Sequence, residues 1–194
     1  MTDLRKEDLL SLEEYSTKRE ELRANIIDIK KDRIIQIGEN VSLLFENQYT
    51  IKYQIQEMLR IEKIFEPNAI EEELSAYNPL IPDGRNLKAT MLIEFTDEDT
   101  RKQKLKEMHL VEDKVWMQIG ENNRIFAIAD EDIERSNEEK TSAVHFLRFE
   151  FSNNTIEDFK NGKFLYAGID HPKYNIKTKE ISQKITQSLS EDFN

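Results

Sequence analysis

Apolar residues in this chain recur at two spacings, and the switches between them mark the elements. Leu12, Tyr15, Leu22, Ile26 and Ile29 keep the three-and-four interval of one helix face, interrupted by Arg19. Ser11 and Glu14 stand in front of it as a capping box, and Lys30, Lys31 and Arg33 suit its C-terminal dipole. Residues 33–37 and 41–45, around Gly38-Glu39-Asn40, predict a strand hairpin. The longest helical run spans 47–65. A second helix spans 67–77, opened by Pro67 and stopped by Asn78-Pro79. After the Pro82-Asp83-Gly84 turn, Leu87, Ala89, Met91, Ile93 and Phe95 alternate with more polar positions as a half-buried strand. A helix is expected over 97–109. Val115, Met117 and Ile119 then pair in a hairpin with Phe126 and Ile128 around Glu121-Asn122-Asn123. A polar loop over 130–142, a strand over 143–151, a short helix near 156–159 closed by Gly162, a strand over 164–169 and a last helix bearing Ile181, Ile185 and Leu189 complete the chain. This mixed order, without repeats or Gly/Ser linkers, predicts an α+β fold: a single domain over 1–194 with a mixed or mainly antiparallel sheet and packed helices.

Composition narrows the function classes. With 28 Lys plus Arg against 39 Asp plus Glu, the net charge is -11. Such a surface repels phosphate backbones, and no basic stripe interleaved with aromatics counters it, so neither nucleic acid nor an anionic membrane is expected as a partner. The chain has no Cys, which excludes disulfides, thiolate nucleophiles and Cys-ligated zinc or iron–sulfur clusters. The first ten residues carry five charges and lack an apolar signal core, and no stretch reaches the 18 or so apolar residues of a membrane span. A cytoplasmic location is therefore expected. A homo-oligomer is left open.

Candidate chemistry is sparse. There is no Walker loop, dinucleotide fingerprint or nucleophile elbow, and His109, His145 and His171 lack the spacing of a helical metal pair, so no cofactor and no metal are expected from local motifs. On the 47–65 helix, Ile51, Ile55, Met58, Leu59, Ile61 and Phe65 form an apolar arc, with Lys52, Gln56, Arg60 and Lys63 opposite. Gln54 and Glu62 fall inside that arc and Glu57 at its edge. A carboxylate so placed either pairs, with Arg60 for Glu57, or has the perturbed character of a functional group. His145 shares a strand face with Leu147, Phe149 and Phe151, which suits a hydrogen-bonded core histidine. Asp170-His171-Pro172 directly after a strand is either a structural turn or an acid orienting a general base. Three readings follow. One is an enzyme or metal-binding protein using Glu46, Glu57, Glu62 and His171, with Asn47 and Asn78 nearby. Another is a small anionic-ligand sensor in which Arg60 and Arg148 clamp the anion and Tyr53 or Tyr174 closes over it.

The third comes from a resemblance. The stretch LLFENQYTIKYQIQEMLRIEKI at 43–64, AYNPLIPD at 76–83, LSLEEY at 10–15, SAVHFLRFEF at 142–151 and DHPKY at 170–174 resemble the bacterial domain-of-unknown-function family 3501 through most of the chain. The resemblance implies no established activity and no catalytic residue. It implies a setting near rubrerythrin-like and iron–sulfur oxidoreductases, and hence a non-catalytic accessory protein docking with a redox or iron–sulfur partner. It also implies that Gln is common where this chain has His145.

Overall fold

The fold was obtained as a computed structural model and is described for residues 3–131, 135–136 and 140–193. Six helices and nine strands follow in the order α1 (Leu12–Lys31), β1 (Ile34–Ile37), β2 (Val41–Phe45), α2 (Gln48–Glu62), α3 (Pro67–Tyr77), β3 (Asn86–Ile93), α4 (Glu98–Glu107), β4 (Val115–Ile119), β5 (Ile125–Phe126), β6 (Ile128–Ala129), β7 (Val144–Glu150), α5 (Asn153–Lys160), β8 (Leu165–His171), β9 (Tyr174–Lys177) and α6 (Gln183–Ser190). Polar side chains start five of these helices, where Ser11, Asn47, Asp97, Ser152 and Ser182 each accept a first-turn backbone N–H, and Pro67 opens α3.

Every strand pairing is antiparallel. One sheet has the order β1-β2-β3-β7-β6 and the other β5-β4-β8-β9. The alternation seen in sequence decides which side is buried: Leu87, Ala89, Met91 and Ile93 of β3 and Leu147 and Phe149 of β7 enter a core shared with Val115, Met117, Ile119, Leu165, Ala167 and Ile169 of the second sheet. The expected Phe126–Ile128 strand is divided. Its two halves pair with different sheets, β5 with β4 and β6 with β7, so the chain crosses at Ala127, whose N–H donates to the Val115 carbonyl at 2.9 Å. At the opposite edge, the Tyr174 hydroxyl donates to the Ile37 carbonyl at 2.7 Å and accepts from the Asn40 N–H at 3.2 Å, tying β9 to the β1–β2 turn. Gly38 makes that approach possible: its φ is +68°, and a Cβ there would lie 2.6 Å from the Tyr174 hydroxyl oxygen.

α1, α2 and α3 form a second apolar cluster, in which Ile51, Ile55 and Leu59 meet Leu4, Leu74 and Ile81. The buried stripe of α2 is narrower than its sequence suggests. The helix ends at Glu62, with Lys63 left-handed at φ 55°, and Ile61 and Phe65 are 60% and 69% exposed. Gln56, placed on the polar side by periodicity, is buried; its amide accepts from the Leu10 N–H at 2.7 Å and donates to the Leu10 carbonyl. Buried Arg33 joins α6 to the hairpin: it donates to the Phe45, Glu46 and Ser188 carbonyls and pairs with Asp192. No helix among the described residues is long and apolar enough to cross a membrane.

Candidate functional site

The residues singled out from sequence are dispersed over the fold. Glu57 sits between α1 and α2, where it accepts two hydrogen bonds from Arg19, at 2.7 and 2.9 Å, one from the Tyr15 hydroxyl at 2.7 Å, and longer ones from Arg60. The Arg19 guanidinium, helped by Tyr15 and Arg60, holds its carboxyl at about 2. Its partner is thus chiefly Arg19, which interrupts the α1 stripe, rather than Arg60 alone. Gln54 is half-buried, and Glu62 is exposed at the end of α2, free of the desolvation its place in the arc suggests. Asn47 caps α2, and Asn78 exchanges two 2.9 Å hydrogen bonds with the backbone of Leu4. Arg148 is engaged by Glu131 and Glu150. Asp170 and His171 belong to β8, and Pro172-Lys173 is the tight connection to β9, so their side chains point to opposite faces. Asp170 accepts from Trp116 at 2.9 Å and pairs with Arg124. His171 lies 3.1 Å from the His109 carbonyl through Nε2 and accepts the Lys173 N–H through Nδ1 at 3.2 Å. Glu46 is buried beneath Thr50 and Thr90, and Tyr174 serves the β1–β9 junction described above.

The densest chemistry lies elsewhere, around His145. Its ring is fully buried on the inner face of β7, because the alternation that buries Leu147 and Phe149 buries position 145 as well. Asp130, directly after β6, meets it: Asp130 Oδ2 is 2.6 Å from His145 Nδ1, and Oδ1 accepts the Phe146 N–H at 3.0 Å. Asp130 is held left-handed at φ 48°, a conformation tolerated by Asp. On the other side of the ring, Nε2 is 2.8 Å from the Thr141 hydroxyl, 3.1 Å from the Ser142 carbonyl and 3.8 Å from Glu112 Oε2. Glu112, 4% exposed in the 3-10 turn before β4, accepts from Thr141 at 2.8 Å and from Ser136. Arg135 reaches Asp130 Oδ1 at 3.4 Å and lies over the Phe146 ring at 4.5 Å.

Proton bookkeeping constrains this cluster. A carboxylate and a backbone carbonyl only accept hydrogen bonds. Each nitrogen of His145 faces such an acceptor, Asp130 at Nδ1 and the Ser142 carbonyl at Nε2, while the Thr141 proton is directed to Glu112. Both ring nitrogens are thus flanked by oxygen atoms, with the two carboxylates close by. One ligand atom from each of Glu112, Asp130 and His145 lies within 4.8 Å of the others, an arrangement able to hold a metal ion. Together they offer one nitrogen and several carboxylate oxygens, the donor set of divalent manganese, iron or zinc.

Sequence reasoning missed Glu112 and Asp130. Both lie in polar runs that look like solvated loops, and their convergence depends on β6 and the 3-10 turn meeting beneath β7. The one available signal was His145 itself, since an imidazole on a core strand face demands buried polar partners. The nearest polar run, 130–142, supplies Asp130 and Thr141; its residues 132–134 and 137–139 lie outside the described ones.

The chain is similar throughout its length to a solved structure, a novel protein of unknown function from Burkholderia pseudomallei K96243. Identity is 45% with a TM-score of 0.95, and each chain is covered completely. None of the curated proteins matches. A family profile described as protein of unknown function (DUF3501) matches residues 3–193, with an antiparallel α+β fold behind it, and the chain belongs to that family.

Proposed function

We propose that this protein is a metal-binding protein whose centre is Glu112, Asp130 and His145, taking one divalent first-row transition ion. The observation that carries the reading is that one ligand atom each from buried Glu112, partly buried Asp130 and buried His145, which come from three separate segments, lies within 4.8 Å of the others. Two carboxylates so close together and largely out of solvent are costly without compensating charge, and among the described residues Arg135 reaches Asp130 at 3.4 Å. An ion bound there would offset the negative charge of the two carboxylates. The Ser136 and Thr141 hydroxyls on Glu112, and the Phe146 N–H on Asp130, orient the ligands from behind. The accessory role beside a redox or iron–sulfur protein, implied by the family resemblance, belongs to the same proposal; affinity purification from the native host tests it, and recovery of no redox protein above background sinks that part.

The metal itself is tested by stripping purified protein with chelator and reloading it with manganese, iron, cobalt or zinc. Elemental analysis and the visible spectrum of the cobalt form then report binding. About one ion per chain is expected. His145→Gln is the informative variant, because an amide keeps donors and acceptors in the cluster yet is a poor ligand, so the far-ultraviolet spectrum stays while the ion is lost. Equal metal content in wild type and His145→Gln overturns the proposal.

A further inference from the structure

On the outer face of the five-stranded sheet, β3, β7 and the 3-10 turn Asn78–Leu80 border a cavity of about 390 Å³. That volume is within the range of small-molecule sites. Its walls include Leu80 and Phe146, and its polar lining includes Glu46, Lys88, Thr90 and Arg148. Positions 88, 90, 146 and 148 face it because they alternate with the core residues Leu87, Ala89, Leu147 and Phe149.

The charges here are unevenly satisfied. Arg148 gives Nε and Nη2 to Glu131 at 2.6 and 2.7 Å and Nη1 to Glu150, so its fork is filled. Glu46, only 4% exposed, has one neutral hydroxyl on each carboxylate oxygen, Thr50 at 2.5 Å and Thr90 at 2.8 Å, and forms no ion pair among the described residues. A carboxylate accepts about four hydrogen bonds, so about half of its capacity is open. Lys88 is half-buried and donates to the Pro79 carbonyl, which leaves two of its three N–H donors; burial pushes its ammonium down, a strain that an incoming anionic group relieves.

We infer that this cavity binds a small ammonium-bearing molecule of amino-acid size, its ammonium group against Glu46, its apolar body along Leu80 and Phe146, and a carboxylate within reach of Lys88. The buried carboxylate sets the polarity: it favours a cationic head, and Lys88 adds preference for a zwitterion over a plain amine. The site lies on the face of β7 opposite His145 and does not depend on a metal being bound there.

Calorimetric titration with L-norleucine, n-butylamine and hexanoate separates the contributions. Saturable binding in the millimolar range is expected for norleucine, weaker binding for butylamine and none for hexanoate. Glu46→Gln is expected to weaken both amines by about tenfold or more. Because a buried substitution can compromise folding, Leu80→Trp is the companion variant; it fills the cavity from a half-exposed turn, leaves Glu46 in place and is expected to abolish binding. No saturable binding of either amine overturns the inference, as does binding unchanged in both variants, or hexanoate binding as well as norleucine.

Discussion

Glu57 and Asp192 show how differently one fold can treat two carboxyl groups. Glu57 is drawn from the usual 4.5 to about 2 chiefly by Arg19, whereas burial pushes Asp192 up to about 6 despite its pairing with Arg33. The signs are opposite. A depressed carboxyl contributes stability that is present above its ordinary value and lost as pH falls towards the folded value; a raised one contributes stability present at low pH and lost as pH rises through about 6. The wild-type profile mixes both, so the test is a difference. Glu57→Gln is expected to cost about 2 to 3 kcal/mol at neutral pH, nearer the lower figure because Arg19 and Arg60 are partly solvated, and to cost almost nothing near pH 2. Urea denaturation at both pH values measures it; a penalty independent of pH would show that packing, not charge, is what Glu57 contributes.

At the scale of elements, β8 depends on one residue without a side chain. A Cβ at Gly168 would lie 2.3 Å from Trp116 Cζ2 and 2.7 Å from the Ile176 carbonyl oxygen. Neither neighbour yields easily: the indole N–H is bonded to Asp170, Arg124 lies 4.1 Å above the ring, and the carbonyl is backbone of β9. Gly168→Ala is therefore expected to cost about 3 kcal/mol through overpacking. Trp116 is the chain's one tryptophan, so its fluorescence reports the disturbance directly. Unchanged emission with an unchanged melting temperature would contradict the close approach. The same β8–β9 hairpin explains why Asp170 and His171 do not form a dyad: alternation in a strand separates adjacent side chains, and each finds its own partner.

At the scale of the whole molecule, the His145 cluster joins three segments, the turn before β4, the end of β6 and the inner face of β7. An ion held there competes with protons for the same ligand atoms, so affinity is expected to fall as pH falls, with proton release on binding in weakly buffered solution. Cobalt titrations at two pH values check this. A pH-independent affinity would place the ion on other ligands. Occupancy also raises the stability of the folded chain by mass action, so the melting temperature should rise with free metal in the wild type and stay level in His145→Gln.

Periodicity alone was enough to locate most elements: the β1–β2 hairpin, α3 with Pro67 at its start, β3, β4 and β7 lie where spacing puts them, while α2 stops at Glu62, short of the expected 65, and α6 starts at Gln183, after Ile181. These are local properties, determined by which residues are three, four or two apart. Partnership is not local. Periodicity put Gln56 on the solvent side of α2 and Glu62 on the core side, yet the chain from Leu4 to Leu10 packs where it buries Gln56 and leaves Glu62 exposed. Sequence could mark His145 as core-facing and in need of partners. Only the crossing of the chain from β5 to β6, with the pairing of β6 on β7, decided that Asp130 and Glu112 would be those partners, because hydrogen-bonded strand order brings together residues that no spacing along the chain connects.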